Sequence, residues 1–339
     1  MSVIDAAVQR ASAVVDDYVH SGRIPGAVLG MVDSAGNRRL FAAGLAQSSP
    51  QQRRMGEETW FDLASLTKVI FTAPRILTLL DAQGIGLDEP LTRLLPDLRQ
   101  YDRHAWERSV TFAQCLSHQT PFPAVEPIYT YGQDAELLRA FVLQRQWKRN
   151  TGAPVYSDIN YILLGLALER FHGTRIWSMP TDEGFAFQAP AEQCAATEFC
   201  TWRKRLLCGE VHDDNCCALQ GAGHAGLFGN ATAVLDHACE LLQGTGLSAH
   251  CIENMRTPVS ATRTMGWECV HDGWSGGDGC TDQCIGHTGF TGTGLWVDFG
   301  HEHAWTLLTN RIHPSRHTDS GIGRLRVEVA NAIHRPVAS

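Results

Sequence analysis

Ser65 and Lys68 stand three residues apart in the segment WFDLASLTKVIFT, where an apolar stretch runs into a predicted helix. The chain contains only three lysines in 339 residues, so a lysine at this place stands out. Residues three apart share one face of a helix, so the Lys68 side chain can reach the Ser65 hydroxyl. A serine at a helix N-terminus also lies at the positive end of the dipole, which stabilises a developing oxyanion. The pair predicts a nucleophilic serine with a lysine that helps remove its proton, although a helix cap followed by a surface cation fits the same residues.

A serine hydroxyl is a weak nucleophile and needs an adjacent base. Lys68 can be that base only when it is neutral, which requires desolvation or a neighbouring cation. Tyr156, in the segment APVYSDINY, is a second candidate. As a phenolate it could accept the serine proton and then pass it to the leaving group.

A third segment, IGHTGFTGTGLW, contains His287, Thr288 and Gly289. The S-x-x-K, Tyr-Ser-Asp and His-Thr-Gly elements, in this order, resemble the S-x-x-K, Y-x-N and [KH]-[ST]-G signatures of the penicillin-recognising serine hydrolases. That superfamily comprises class C β-lactamases, D-Ala-D-Ala carboxypeptidases and related esterases. The similarity covers most of the chain from about residue 26 to 310, and includes the segments LDEPLTRLLPDL, CLSHQT and GAGHAGLFGNA.

The resemblance implies an acyl-enzyme on Ser65, with the oxyanion held between the backbone amides of Ser65 and Phe290. It also implies that His287, Thr288 and Gly289 line the wall opposite and bind substrate. Asp158 departs from the asparagine of the Y-x-N element. A carboxylate there would raise the pKa of Lys68, which shifts the role of base towards Tyr156. It would also repel a substrate carboxylate, which disfavours β-lactam hydrolysis more than ester or amide hydrolysis.

The predicted fold is α/β (α+β) of the β-lactamase/transpeptidase-like type. An antiparallel sheet flanked by the N- and C-terminal helices is expected in a lobe built from residues 1–75 and 220–339. Residues 76–219 are expected to form a mostly helical lobe, with the active site between the two. Segments 26–33 and 38–44 predict a hairpin, and segment 66–83 predicts a helix kinked at Pro74.

The bulk composition excludes two classes of partner. A formal net charge of −8 disfavours nucleic acid, and no apolar run is long enough for a membrane span. The N-terminal segment has the spacing of an amphipathic helix and not of a secretory signal, so a cytoplasmic location is expected. The chain has eleven cysteines, an odd number that favours reduced thiols and so agrees with a cytoplasmic location.

Neither a metal nor an organic cofactor is expected for the reaction. A zinc site built from HDDNCC (212–217) and GCTDQC (279–284) stays open, although no C-x-x-C pair is present. Residues 221–226 match G-x-G-x-x-G, but no strand leads into them, so a tight turn is expected and not a dinucleotide site.

The predicted function is hydrolysis of a small ester, amide or peptide, with a peptidoglycan-derived fragment as one possible substrate. Acyl transfer to an acceptor other than water, β-lactam hydrolysis, an inactive binding homologue and a zinc-dependent hydrolase are the alternatives. The sequence leaves the oligomeric state open.

Overall fold

The computed structural model describes residues 3–335. Its α-helices over this range are α1 Val3–His20, α2 Ala73–Gln83, α3 Phe112–Leu116, α4 Ala135–Gln144, α5 Asp158–His172, α6 Asp214–Ala218, α7 Ala231–Gln243, α8 Ala249–Arg256 and α9 Ile322–His334. Its strands are β1 Gly26–Asp33, β2 Arg38–Gln47, β3 Arg53–Arg54, β4 Phe61–Asp62, β5 Phe185–Ala186, β6 Phe199–Cys200, β7 Arg205–Leu206, β8 Phe228–Gly229, β9 Glu268–Cys269, β10 Cys284–Thr288, β11 Gly294–Asp298 and β12 His303–Thr309.

Seven of these strands form one antiparallel sheet in the order β3-β2-β1-β12-β11-β10-β9. The predicted hairpin is confirmed, because β1 pairs with β2 in a register that places Gly26 opposite Gly44. Strand β1 pairs on its other side with β12, so the two ends of the chain meet in the middle of the sheet. The predicted antiparallel sheet is therefore confirmed, and both termini contribute to it.

The two faces of the sheet cover two different apolar cores. Successive side chains of a strand point to opposite faces, and in β1 the alternate residues Val28 and Val32 join one core while Leu29 and Met31 join the other. The second core is closed by α1 and α9, the predicted flanking helices. Trp296 and Trp305 stack within it with ring centroids 5.5 Å apart.

The first core continues from the sheet into the helices between α2 and α6, and it contains apolar residues of α2, α5 and α7. Short strands at 185–206 interrupt these helices. The proposed lobe boundaries at 75/76 and 219/220 stay a prediction, and residues 1–2 and 336–339 of the first lobe lie outside the described range.

The segment predicted as one kinked helix contains a π-helical turn, Lys68–Thr72, followed directly by α2. Pro74 lies just after this turn, inside a helical segment that is continuous from 66 to 83, and it lacks the amide hydrogen that such a position normally donates. The amide of Ala73 bonds the carbonyl of Lys68, five residues back. The wide turn thus accommodates the proline, and Gly84 ends the helix in a left-handed conformation with φ of 63°.

The G-x-G-x-x-G run forms a turn packed tightly on α5. A Cβ added to Gly165 of α5 would lie 2.5 Å from the backbone nitrogen of Gly223, and a Cβ on Gly223 would lie 2.4 Å from the carbonyl oxygen of Tyr161. Only two glycines allow this backbone approach. The run is therefore a packing device in this chain, as the turn prediction required.

We expect Gly165→Ala to destabilise the protein by about 2 kcal/mol or more, because backbone atoms must move apart to admit the methyl group. The control is Gly323→Ala in α9, where a Cβ would meet nothing within 4 Å. That change should stabilise by about 0.5–1 kcal/mol through helix propensity. Urea denaturation of both variants measures the difference, and equal effects would contradict the close packing of α5 on the turn.

Candidate active site

Ser65 lies in a strained turn that the rest of the fold holds in place. The residue before it, Ala64, has a φ of 47°, a left-handed conformation that costs an alanine about 1 kcal/mol or more. The buried Asp62 carboxylate accepts the amide hydrogen of Ala64 at 2.8 Å, and the Thr67 hydroxyl donates to the carbonyl of Ala64 at 2.6 Å. Thr67 also accepts from the amide of Leu227, which ties the turn to β8. These bonds fix the position from which the Ser65 hydroxyl faces the cleft.

The Lys68 side chain is fully buried and its Nζ is surrounded by three oxygens. Nζ lies 2.9 Å from Ser65 Oγ, 2.9 Å from the carbonyl oxygen of His224 and 2.9 Å from Asp158 Oδ1. Lys68 donates hydrogen bonds to the Ser65 hydroxyl and to the His224 carbonyl, and its contact with Asp158 is an ion pair. Lys68 Nζ thus contacts the Ser65 hydroxyl, and its second partner comes from the glycine-rich turn.

The surroundings of Lys68 keep its amine protonated. Burial lowers the pKa of Lys68, but the Asp158 carboxylate and Tyr156 raise it, and the net result is a raised pKa. Asp158 is the first residue of α5, where the helix dipole favours a negative charge. Asp158 therefore acts on Lys68 as its residue type predicts.

The Tyr156 hydroxyl is buried close to Ser65 and Lys68, yet it forms no hydrogen bond of good geometry with any described residue. Burial raises the pKa of Tyr156, and the Asp158 charge raises it further, whereas the Lys68 ammonium lowers it. The net pKa is raised. Tyr156 is thus a phenol at rest, and both candidate bases hold their protons before substrate enters.

His118 is a neighbour of Tyr156 that the sequence reasoning did not name as a site residue. The two rings stack with centroids 4.2 Å apart. His118 Nδ1 accepts from the amide of Ser157 at 3.1 Å and lies 3.3 Å from the amide nitrogen of the Asn160 side chain. Burial and the Lys68 charge lower the pKa of His118, so the ring is neutral. The segment CLSHQT, which carried part of the family resemblance, could have pointed to it.

His287 lies across the cleft from Tyr156, with ring centroids 6.0 Å apart. Its Nδ1 is 3.0 Å from the carbonyl oxygen of Thr288, so we assign the proton to Nδ1. Nε2 is then a buried lone pair with no partner among the described residues. Burial and the Lys68 charge lower the pKa of His287, which leaves the ring neutral. The site can therefore accept a hydrogen bond from substrate at this point.

Two backbone amides are free to bind an oxyanion. Within the described range, neither the amide of Ser65 nor that of Phe290 donates to a protein acceptor. Arg311 donates to the carbonyl of Phe290 through Nε at 3.0 Å and Nη2 at 2.6 Å. Arg326, from α9, donates to the carbonyls of Gly289 at 2.9 Å and Thr293 at 2.8 Å. The two arginines hold the turn that presents the second amide.

All the predicted site residues line or border one cleft of about 450 Å³. Its lining comprises Ser65, Tyr156, Asp158, Arg263, Glu268, His287, Thr288, Gly289, Phe290, Arg311 and Arg326. Sequence reasoning missed Arg263, Glu268, Arg311 and Arg326, since no motif marks them. A larger hollow of about 720 Å³ lies between α4 and α5, but its charged groups are already paired, as in Arg139–Glu169 and Arg170–Asp97.

The two segments considered for a zinc site do not form one group in the described residues. Cys280 and Cys284 of the second segment lie beside Asp298, without any residue of 212–217. Within the first segment, the amide of His212 donates to Asp62 at 2.6 Å, and Asp213 Oδ1 lies 2.8 Å from His224 Nε2. The residues around Ser65 thus include no cysteine ligand set.

Comparison with known proteins places the chain among relatives of similar length. The Beta-lactamase family model matches residues 11–328. An N-acetylmuramyl-L-alanine amidase of Bacillus subtilis is 28% identical, covering 85% of this chain and 78% of the relative. A putative D-alanyl-D-alanine carboxypeptidase of Escherichia coli is 26% identical, covering 82% and 74%.

Among solved structures, EstCE1, a hydrolase with promiscuous acyltransferase activity, superposes with a TM-score of 0.74 at 19% identity. The match covers 98% of this chain and 99% of that one, which confirms the predicted fold class. Together with the family match over almost the whole chain, this shows that the protein belongs to the β-lactamase family of serine hydrolases.

Proposed function

We propose that this enzyme cleaves a small amide, peptide or ester through an acyl-enzyme on Ser65. The observation that carries the proposal is the buried contact of 2.9 Å between Lys68 Nζ and Ser65 Oγ, beside two unpaired backbone amides. A nucleophile, a proton network and an oxyanion site in one cleft are the parts that acyl transfer requires. The amidase and carboxypeptidase names of the two relatives support amide or peptide bonds as the target.

Tyr156 is our candidate for the group that takes the proton of Ser65. Lys68 is held as an ammonium by three oxygens, so in that state it has no lone pair to accept a proton. The Lys68 charge lowers the pKa of Tyr156 and so favours the phenolate that burial and Asp158 disfavour. In this scheme Tyr156 reacts as the phenolate, after its own proton has passed to solvent. The serine proton then moves to the phenolate as the acyl–oxygen bond forms, and Tyr156 gives that proton to the leaving nitrogen or oxygen and returns to the phenolate.

The substrate we propose carries a carboxylate near the scissile bond. The cleft wall holds three arginines against two carboxylates, and one of these, Asp158, is already compensated by Lys68. Arg311 and Arg326 hold the oxyanion turn, which leaves Arg263, 5.4 Å above the Tyr156 ring, to meet an anion. The excess of positive charge in the cleft outweighs the repulsion between Asp158 and a substrate carboxylate. A peptide or muropeptide fragment with a free carboxylate fits this charge.

A cytoplasmic location remains part of the proposal. None of the described helices is long and apolar enough to cross a bilayer. All eleven cysteines are free, and eight are buried. A reducing compartment suits a chain with so many thiols.

The acyl-enzyme proposal predicts covalent labelling of Ser65 by a fluorophosphonate probe, read as a mass increase on the peptide that contains it. Ser65→Ala should lose the label and at least about 10³-fold in kcat/KM for a p-nitrophenyl ester. Ser21→Ala, at an exposed serine directly after α1, is the control and should label as the wild type does. Labelling that persists in Ser65→Ala would contradict the proposal.

Removal of the Asp158 charge should shift the acid limb of the kcat/KM–pH profile to lower pH. Asp158 raises the pKa of both Lys68 and Tyr156, so Asp158→Asn lowers both. Whichever group takes the proton is then deprotonated at a lower pH. The pH at the midpoint of the acid limb is the readout, because the plateau value of kcat/KM also depends on how well the reacting groups are positioned.

The control for this profile is Glu268→Gln, which removes the other carboxylate of the cleft. Glu268 is not among the groups that shift the pKa of Lys68 or Tyr156, so its variant should keep the wild-type limb. An acid limb that stays in place or moves upward in Asp158→Asn would refute the role given to the carboxylate.

A carboxylate-bearing substrate should depend on Arg263. We expect Arg263→Gln to raise KM about tenfold for an acyl substrate with a free carboxylate, because a charge-assisted hydrogen bond is lost. The neutral ester of the same acyl group should change less than about twofold, and Arg324→Gln on the exposed side of α9 is the matched control. Equal losses for the charged and neutral substrates would argue against anion recognition by Arg263.

A further inference from the structure

Three histidines and an aspartate converge at the end of the sheet away from Ser65. Asp298 ends β11, His301 lies in the following turn, His303 begins β12 and His334 ends α9. One ligand atom from each side chain lies within 4.8 Å of all the others. Neither the serine chemistry nor the family motifs use any of these residues.

The separations between these atoms match those of a tetrahedral metal site. His303 Nε2 is 3.1 Å from His334 Nε2, His301 Nδ1 is 2.9 Å from Asp298 Oδ2, and His334 Nε2 is 3.9 Å from Asp298 Oδ2. Zinc bonds to nitrogen and oxygen of about 2.0–2.1 Å place tetrahedral ligand atoms about 3.3 Å apart. The observed spacings bracket that value, so only small side-chain movements are needed to admit an ion.

The surrounding contacts orient these side chains as they do around known metal sites. His334 Nδ1 is 2.8 Å from the carbonyl oxygen of Ala330, so we assign the proton to Nδ1, and the Nε2 lone pair faces the cluster. The Asp298 carboxylate accepts from the amide of Thr281 at 2.9 Å and from the amides of Gly300 and His301. Backbone contacts of this kind fix a ligand before the ion arrives.

The charge of the cluster also suits a cation. Asp298 forms its ion pairs with His301 and His334, and among the described residues no lysine or arginine is paired with it. A carboxylate without a basic partner, surrounded by imidazoles, is the donor set that zinc and similar divalent ions prefer. Cys280 and Cys284 form a second group with Asp298 that includes none of these histidines, and their thiols contact the carbonyls of Gly276 and Ile285.

We propose that Asp298, His301, His303 and His334 form a binding site for one divalent transition-metal ion, with Zn²⁺ as its occupant. The site is structural. Strand β11 separates Asp298 from Gly294 at the cleft end by about 14 Å, and the eight residues from Arg326 to His334 span about 12 Å of helix. A bound ion would clamp α9 to the β11–β12 turn, and α9 carries the Arg326 that holds the oxyanion turn.

The experiment uses the full-length chain without a polyhistidine tag, stripped of metal and then titrated with Zn²⁺ or Co²⁺. We expect one equivalent of Zn²⁺ by elemental analysis, and a rise in Tm of about 3 °C or more at saturating Zn²⁺. Co²⁺ should give the visible bands of a tetrahedral site without a sulfur-to-cobalt charge-transfer band.

Three double variants distinguish metal binding at this site from binding by other histidines or by cysteines. His303→Gln combined with His334→Gln should lose the equivalent of metal and the Tm shift. His104→Gln combined with His317→Gln removes two exposed histidines elsewhere and should keep both. Cys280→Ser combined with Cys284→Ser should also keep both.

Three results would overturn the proposal. The first is that the wild type binds no more metal than the His303/His334 double variant. The second is a thiolate charge-transfer band in the Co²⁺ spectrum of the wild type. The third is metal binding that is kept in the histidine double variant but lost in the Cys280/Cys284 double variant. If the histidine double variant fails to fold, the Co²⁺ spectrum of the wild type decides the ligand type by itself.

Discussion

The buried ammonium of Lys68 is the interaction on which the rest of the site depends. A charge without exposure is tolerated in a protein interior only when it is paired and hydrogen-bonded. Here three oxygens, each 2.9 Å from Nζ, come from three separate parts of the fold. They are the hydroxyl of Ser65, the carbonyl of His224 and the carboxylate of Asp158, so Lys68 joins the nucleophile turn, the glycine-rich turn and the start of α5.

Two of these partners, Ser65 and His224, are held next to Lys68 by backbone features that are unfavourable by themselves. The left-handed Ala64 and the π-helical turn that starts at Lys68 present the serine and the lysine to one another. The contact of Gly165 with Gly223 brings the carbonyl of His224 over the lysine. Such strained turns and backbone contacts persist because surrounding hydrogen bonds hold them, and they are common where chemistry takes place.

Most of the fold and the candidate site around Ser65 could be predicted from the sequence, because both leave local patterns. The hairpin segments 26–33 and 38–44, the apolar stripe of α2 and the spacing of Ser65 and Lys68 are each readable over a few residues. Arg263, Arg311 and Arg326 were not predicted, because an arginine acquires its role from a tertiary contact and no spacing marks it. Asn160 was not predicted either. It lies two residues after Asp158, which stands where the Y-x-N element has its asparagine, but only the fold shows that Asn160 contacts His118.

The direct test of the central claim is the pKa of the Lys68 amine, measured by NMR on protein labelled with ¹⁵N at lysine Nζ. With three lysines in the chain and exposed side chains at Lys148 and Lys204, the buried resonance can be assigned by substitution of the other two. We expect Lys68 to remain an ammonium to a higher pH than either exposed lysine, since its pKa is raised. Titration of Lys68 near neutral pH would contradict it, because the lysine would then be a free amine and the base itself.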